Sequence, residues 1–318
     1  MPVLNFEPTA PLPAQPLPRQ TLSFLQQLFQ ERGIEPKNKL GQNFLIDLNL
    51  VDLLVRTAEL SKSDLAIEIG SGTGSLTTRL ADQAGAVLSV EIDPAFHSLV
   101  SELLGDKENL VLLRTDALKN KNNLSPLVFE ALAALEARIP CKRRKLVANL
   151  PYAVATPVMT NFLLSDVAFE RMVITVQWEI AERLMTNPAR KEFGALAVLV
   201  QSLADVELIR RLGPSVFWPR PKVDSAIVCI RPNSGKRAHV VARLGDVQRL
   251  RHFLRDLYTH RRKNLRGALT GLPSGRRPKE EVDRLLTQLG IDGFVRAETL
   301  DVEQHLLLCE VFTAESDA

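Results

Sequence analysis

Short apolar runs alternate with amphipathic stretches from about residue 37 onward, and the alternation predicts most of the architecture. Leu65–Ile69 (LAIEI) is an apolar run that ends in a glycine-rich turn, as a buried strand does, and Ser75–Ala84 reads as the helix that follows. Ala86–Ile92 is a second strand. Pro94 then opens a helix reaching Leu104, in a first-turn position where its missing N–H costs nothing. Leu110–Arg114, Lys145–Asn149 and Met172–Gln177 make a third, fourth and fifth strand, the last leading into a helix over Trp178–Met185. Strands alternating with helices imply an α/β fold whose parallel sheet is covered on both faces. Val206–Leu212 and Val223–Ile230 flank the Pro-rich GPSVFWPRP and are expected to add an antiparallel pair at the sheet edge. Beyond Arg231 helical periodicity takes over, at Asp246–Tyr258, Arg261–Leu269, Glu280–Leu289 and Val302–Phe312. The shift predicts an α/β domain over residues 37–235 and a small all-α domain over 236–318, with no internal repeat.

The first 36 residues are Pro-rich (PTAPLPAQPLP) with a short apolar helical pattern from Leu22 to Leu28, and are expected to form a flexible tail. They lack the apolar core and small-residue cleavage site of a secretory signal. The 318 residues are 45% apolar and 24% charged, which argues against disorder and against a fibrous repeat. No apolar run approaches the ~18–20 residues that span a bilayer, so no membrane segment is expected. Cys141, Cys229 and Cys309 stand far apart without a C-x-x-C spacing, and the five histidines show no ligand spacing. Neither a disulfide framework nor a metal site is expected, and the cytoplasm is the simplest compartment. The formal charge of +3 hides an asymmetry: Arg231–Glu280 holds 14 Lys/Arg against three acids, +11, which leaves −8 for the rest. A basic C-terminal segment on a mildly acidic body suits a polyanionic partner.

Chemistry-bearing residues fall at the ends of the predicted strands. Glu68-Ile69-Gly70-Ser71-Gly72-Thr73-Gly74 links the first strand to its helix, where glycine permits a tight turn and close backbone approach to a ligand. Dinucleotide enzymes carry a similar turn, so this motif alone does not choose between ligands. Glu91, ending the second strand, can accept the hydroxyls of a ribose, and Asp116, just past the third, can accept from an exocyclic amine such as adenine N6. The fourth strand ends in Asn149-Leu150-Pro151-Tyr152. An amine on an aromatic base is a poor nucleophile because its lone pair is delocalised. An amide oxygen and a backbone carbonyl that both accept from the NH₂ favour a more tetrahedral nitrogen. Pro151 stiffens that turn, and Tyr152 offers a flat face for an extruded base.

With these motifs the sequence resembles the KsgA family of small-subunit rRNA adenine-N6,N6-dimethyltransferases, over about Lys39 to the C-terminus. The resemblance rests on Leu40-Gly41-Gln42-Asn43-Phe44-Leu45, EIGSGTG, EID, NLPY, Pro214-Ser215-Val216-Phe217, Pro221-Lys222-Val223-Asp224-Ser225-Ala226 and the basic Arg261-Arg262-Lys263-Asn264. It implies a Rossmann-like class I methyltransferase sheet with helices on both faces, plus the all-α C-terminal domain. It also implies S-adenosylmethionine as methyl donor and no metal. Asn43, Leu45, Gly70, Glu91, Asp116 and Asn149 would contact the donor, and Asn149, Leu150, Pro151 and Tyr152 would carry the transfer. Arg251, Arg255, Arg261, Arg262, Lys263 and Arg266 would meet phosphates. The implied substrate is two adjacent adenines in a hairpin near the 3′ end of small-subunit (16S) rRNA, met in an immature subunit by a monomer. An Erm-type 23S rRNA methyltransferase and an RNA-binding assembly factor with reduced catalysis are the alternatives. Ala153, Trp178 and Arg220 depart from the family pattern, and the basic stretch Cys141–Lys145 is read as an insertion outside the core.

Overall fold

Apolar and β-branched residues with no surface alternation require strands buried on both faces, and two central strands meet that condition along their whole length. These are β1 (Asp64–Ile69) and β2 (Ala86–Glu91), in which every residue is buried. The computed structural model describes residues 20–37, 40–273 and 275–313. It adds β3 (Leu110–Arg114), β4 (Arg143–Ala148), β5 (Arg171–Gln177), β6 (Ala204–Leu212) and β7 (Ser225–Pro232) in one seven-stranded sheet, ordered β3-β2-β1-β4-β5-β7-β6. The first five strands pair in parallel, with Ile69 opposite Val90 and Glu91 opposite Arg114. The order turns back on itself between β1 and β4. That is where open α/β sheets leave a crevice beyond the carboxyl ends of their strands. The expected edge pair does occupy one edge, with β7 against β5 and β6 outermost.

Thirteen α-helices occur among the described residues: α1 (Leu22–Arg32), α2 (Leu48–Ala58), α3 (Ser75–Gln83), α4 (Pro94–Leu104), α5 (Pro126–Arg138), α6 (Tyr152–Leu164), α7 (Trp178–Met185), α8 (Ala195–Gln201), α9 (Ser234–Leu244), α10 (Val247–Tyr258), α11 (Leu265–Thr270), α12 (Lys279–Gln288) and α13 (Val302–Phe312). Of the expected tail, residues 1–19 lie outside the described residues, whereas the pattern at Leu22–Leu28 is part of a packed helix. Leu25 and Phe29 of α1 are buried with Phe44, Phe96 and Leu99, and the Phe29 ring stands edge-on to Phe44 at 5.5 Å. The basic stretch read as an insertion is the start of a central strand. Lys145 on β4 is 1% exposed, and its ammonium lies 3.1 Å from the fully buried carboxylate of Asp64.

The chain forms two compact units and crosses between them several times. Among the described residues, one holds those up to Asn161 with Ala168–Gln177 and Arg210–Cys229; the other holds Phe162–Val167, Trp178–Ile209 and those from Ile230 onward. In the second unit, α10 starts at Asp246, whose carboxylate accepts from Gln248 N, and α13 starts with a reciprocal capping box between Asp301 and Gln304. The expected helix Arg261–Leu269 is shorter at its start. Asn264 caps α11 by accepting from Gly267 N, which leaves Arg261–Lys263 in a turn. A buried polar pair lies in the core of this unit. His305 Nδ1 lies 2.7 Å from the Asp301 carbonyl, which can only accept, so Nδ1 carries the hydrogen and Nε2 accepts a hydrogen bond from the Tyr258 hydroxyl at 3.1 Å. Burial pushes His305 down to about 4, so the ring is neutral.

Candidate active site

The carboxyl ends of β1 to β4 line one cavity, together with Leu40–Phe44, Asp116 and the Asn149–Val154 segment. The turn after β1 uses Gly70, Gly72 and Gly74 at φ of +87°, +51° and +78°, a left-handed region that other residues avoid. Its backbone is tied from two sides. Gly70 N donates to Val90 O at 2.7 Å, and Gln20, just ahead of α1, donates to Thr73 O at 2.8 Å while accepting from the Thr73 hydroxyl at 2.6 Å.

Glu91 is 6% exposed and lines the cavity. Its Oε2 accepts from Gly72 N at 3.0 Å and its Oε1 from Asp93 N at 2.8 Å, with a longer 3.4 Å contact from the Ser71 hydroxyl. A carboxylate offers about four acceptor positions, so room remains for an incoming hydroxyl donor. Burial raises the Glu91 carboxyl and the two N–H bonds offset part of that rise. Behind it, Glu68 is raised to about 7, chiefly by burial and further by the Glu91 charge. The Ser89 and Thr77 hydroxyls, each donating to Oε2 at 2.6 Å, pull the other way. Raised to about 7, Glu68 is only partly ionised near neutral pH, which lessens the negative charge at the back of Glu91. Asp116 sits exposed at the rim. Leu118 N fixes its Oδ1 at 2.9 Å, which leaves Oδ2 without a hydrogen-bond partner among the described residues.

Asn149 is held at both ends of its amide. Nδ2 donates to the Asn43 carbonyl at 2.9 Å and Oδ1 accepts from the Thr175 hydroxyl at 2.5 Å; the Asn43 carbonyl, which can only accept, fixes which way the amide faces. Asn43 donates in turn to the Gly41 carbonyl at 3.1 Å. Leu150 is buried, and Pro151 and Tyr152 are half-buried at the cavity wall. The Tyr152 hydroxyl lies 2.5 Å from Ser225 Oγ, which fixes the ring edge, and burial raises the phenol. Upstream, Lys37 pairs with Asp93 at 2.8 Å and Gln42 donates to the same carboxylate at 3.2 Å, fastening the chain on both sides of Leu40.

Asn43, Gly70, Glu91, Asp116, Asn149, Leu150, Pro151 and Tyr152 therefore meet around one space. Leu45 does not line it; its side chain is buried and its backbone pairs with Phe217. The sequence motifs do not include Thr175 or Gln20, and they include Ser225 without giving it a role. Thr175 and Ser225 carry a faint signal, each being a polar residue in an otherwise apolar strand run and each fully buried. The cavity offers apolar walls at Ile69, Val90 and Phe96, the buried Glu91 carboxylate, a carboxylate oxygen of Asp116 at the rim and the backbone of the glycine turn.

The basic residues lie in the second unit. Arg261, Arg262 and Lys263 are exposed in the turn before α11, with Arg261 also donating to the Lys191 carbonyl. Arg255 is exposed and pairs with Asp256 at 2.8 Å; Arg266 is half-buried and pairs with Asp283. Arg251 is half-buried, and burial together with the Arg255 charge lowers its guanidinium. Among the described residues no cluster of three or more His, Cys, Asp or Glu is arranged to hold a metal ion, and no helix is long and apolar enough to cross a membrane.

Known proteins are similar to this chain over most of its length. A family model described as ribosomal RNA adenine dimethylase matches residues 34–314. A protein of Pediococcus pentosaceus named ribosomal RNA small subunit methyltransferase A is 37% identical over 284 residues, 88% of this chain and 91% of the relative. Its namesake in Geobacillus kaustophilus is 36% identical over 89% of this chain and 93% of its own. Among solved structures, a dimethyladenosine transferase from Plasmodium falciparum aligns with a TM-score of 0.63 at 24% identity, over 82% of this chain and 94% of its own. The 23S rRNA methyltransferase ErmE aligns at 0.58, also at 24% identity, over 86% and 100%. Both share the fold. With a family model spanning residues 34–314 and relatives above 30% identity over most of both chains, the chain belongs to the ribosomal RNA adenine dimethylase family.

Proposed function

We infer that this protein transfers methyl groups from S-adenosylmethionine to N6 of two adjacent adenines in a hairpin near the 3′ end of small-subunit (16S) rRNA, giving N6,N6-dimethyladenosine. The observation that carries the reading is the Asn149 amide, locked between Thr175 and Asn43 at the wall of the cavity that Glu91 and the glycine turn also line. When bound, S-adenosylmethionine supplies a methyl that is already electrophilic on a sulfonium. The protein's task is then positioning, which can supply several kcal/mol and up to ~7–11 in the best cases. Glu91 would take the ribose hydroxyls and the free Oδ2 of Asp116 the adenine amine. Oδ1 of Asn149 and the Leu150 carbonyl would accept from the target NH₂, and Tyr152, its edge fixed by Ser225, would stack on the target base. The nitrogen becomes acidic only as its new bond forms, so no side chain is assigned as a base.

Exposed cations at Arg261, Arg262 and Lys263, with Arg251, Arg255 and Arg266 nearby in sequence, would neutralise rRNA phosphates and make binding weaken as salt rises. The partner we propose is an immature small ribosomal subunit met in the cytoplasm by a monomer, with subunit maturation as the setting. The test is incubation of the protein with undermethylated small subunits and labelled S-adenosylmethionine, followed by nucleoside analysis. Label in dimethyladenosine from small-subunit rRNA is the expected result. Label confined to protein-free large-subunit rRNA would point to the Erm-type reaction, and RNA binding without label would point to an assembly factor.

A further inference from the structure

The loop between α12 and α13 leaves its largest apolar side chain in water. Ile291 and Ala297 are each 7% exposed and pin the loop down, yet Phe294 between them is 76% exposed. The loop backbone is fixed. Leu265 N donates to the Val295 carbonyl at 2.7 Å and Arg266 N to the Gly293 carbonyl at 2.9 Å, while Phe294 N donates to the Asp292 carboxylate at 2.8 Å. Gly293 is packed so closely that a Cβ there would come within 3.0 Å of Leu286 and 3.3 Å of Arg266. The ring therefore stands on a rigid support, directly across from the start of α11.

The neighbours across that support are cationic. From Leu257 to Pro273 the chain carries Arg261, Arg262, Lys263 and Arg266 and no acidic residue. The N–H groups of Leu265 and Arg266 are used by the loop carbonyls, so attraction for anions comes from the side chains and not from the helix end. Of the acidic groups nearby, Asp283 pairs with Arg266, Asp292 accepts from the loop N–H, and Glu298 lies 3.8 Å from Arg296 with its other oxygen buried and without a hydrogen-bond partner among the described residues. Among the described residues, Phe294 is the one large hydrophobic residue of these two segments that is exposed. A single pre-positioned aromatic face beside exposed cations matches single-stranded nucleic acid, whose bases stack while its phosphates pair.

We propose that Phe294 is a stacking platform for an unpaired rRNA base whose flanking phosphates are held by the Arg261–Lys263 turn. The proposal rests on the rRNA-methylating function above and adds to it a contact outside the cavity. The test compares Phe294→Ala, Phe294→Leu and Phe294→Trp for methylation of undermethylated small subunits. Alanine and leucine raise KM about tenfold or more, tryptophan stays close to wild type, and the loss falls on KM rather than on kcat. The salt dependence of binding keeps its slope in all three, because no charge is removed, whereas Arg262→Ala lowers it. A wild-type KM for the leucine variant overturns the proposal in favour of an apolar contact with a ribosomal protein, and a wild-type KM for alanine overturns it outright. If the wild-type protein methylates no small subunits, the proposed function fails separately. Stacking is then read from binding to protein-free small-subunit rRNA, where tryptophan and phenylalanine above leucine and alanine supports it and equal affinities overturn it.

Discussion

Replacing Asn149 by alanine lowers kcat by about two to three orders of magnitude, the cost of losing one pre-positioned polar group at a reacting centre, and barely changes the affinity for S-adenosylmethionine. The split follows from the geometry. The donor's ribose and base are assigned to Glu91 and Asp116, whereas the Asn149 amide is fixed by Thr175 at 2.5 Å and by the Asn43 carbonyl at 2.9 Å. An alanine leaves both anchors without the group they orient, so the target amine loses its acceptor. Thr175→Val keeps the amide but frees one end, and its kcat falls by a smaller factor of about ten, the worth of roughly one hydrogen bond. Steady-state kinetics combined with equilibrium binding of the donor check both variants. Equal losses in kcat and donor affinity for Asn149→Ala would assign the residue to donor binding alone.

At the opposite ends of the strands, Asp64→Ala destabilises the fold by about 3–5 kcal/mol, as removal of one member of a buried ion pair does. Asp64 is fully buried, accepts from Arg143 Nε at 2.6 Å and from Ser61 N at 2.7 Å, and lies 3.1 Å from the Lys145 ammonium. Without it, Lys145 keeps the Glu59 carbonyl at 2.6 Å and only a distant carboxylate, Glu170 at 3.7 Å. Adding Lys145→Met, which removes the stranded charge, recovers part of the loss. Burial alone would raise the Asp64 carboxyl, but its bonds from Arg143, Lys145 and Ser61 outweigh that and hold it below its ordinary 3.8. A lowered carboxylate stabilises the folded state above the unfolded value and loses that contribution as pH falls through the folded one. The difference between wild type and Asp64→Ala therefore shrinks as the pH drops below about 3.8. Urea unfolding at several pH values measures it; a gap that widens in acid would contradict this account of the pair.

The parts of this protein that sequence reveals are those whose signal is local. The runs LAIEI and AVLSVE are buried throughout, and the glycine turn and the NLPY segment lie directly after strand-like runs, so the chain's own pattern brings the four strand ends together. Helices α2, α5, α6, α8 and α9 are not among the predicted elements, and for the last three the sequence shows a physical reason. Helix α6 is apolar nearly all round and contains Pro157, and α8 (ALAVLVQ) has the β-branched content of a strand. In α9, Gly235 and the polar SGKR start hide the amphipathic pattern that follows. Lys145 ends a run of Cys141 and four basic residues that resembles a surface loop; its partner Asp64 is far away in the chain. The anchors of the site share that property. Thr175 reaches Asn149 across 26 residues, Ser225 reaches Tyr152 across 73 and Gln20 reaches Thr73 across 53. Pairings of such separation are set by strand order, which no local pattern encodes.

A crystal of the protein grown with S-adenosylmethionine tests the central claim most directly. The account predicts the ribose hydroxyls on Glu91, the adenine amine at Asp116 and the sulfonium methyl open toward the space between Asn149 and the Tyr152 ring. Donor density elsewhere, or a methyl turned away from Asn149, would contradict it.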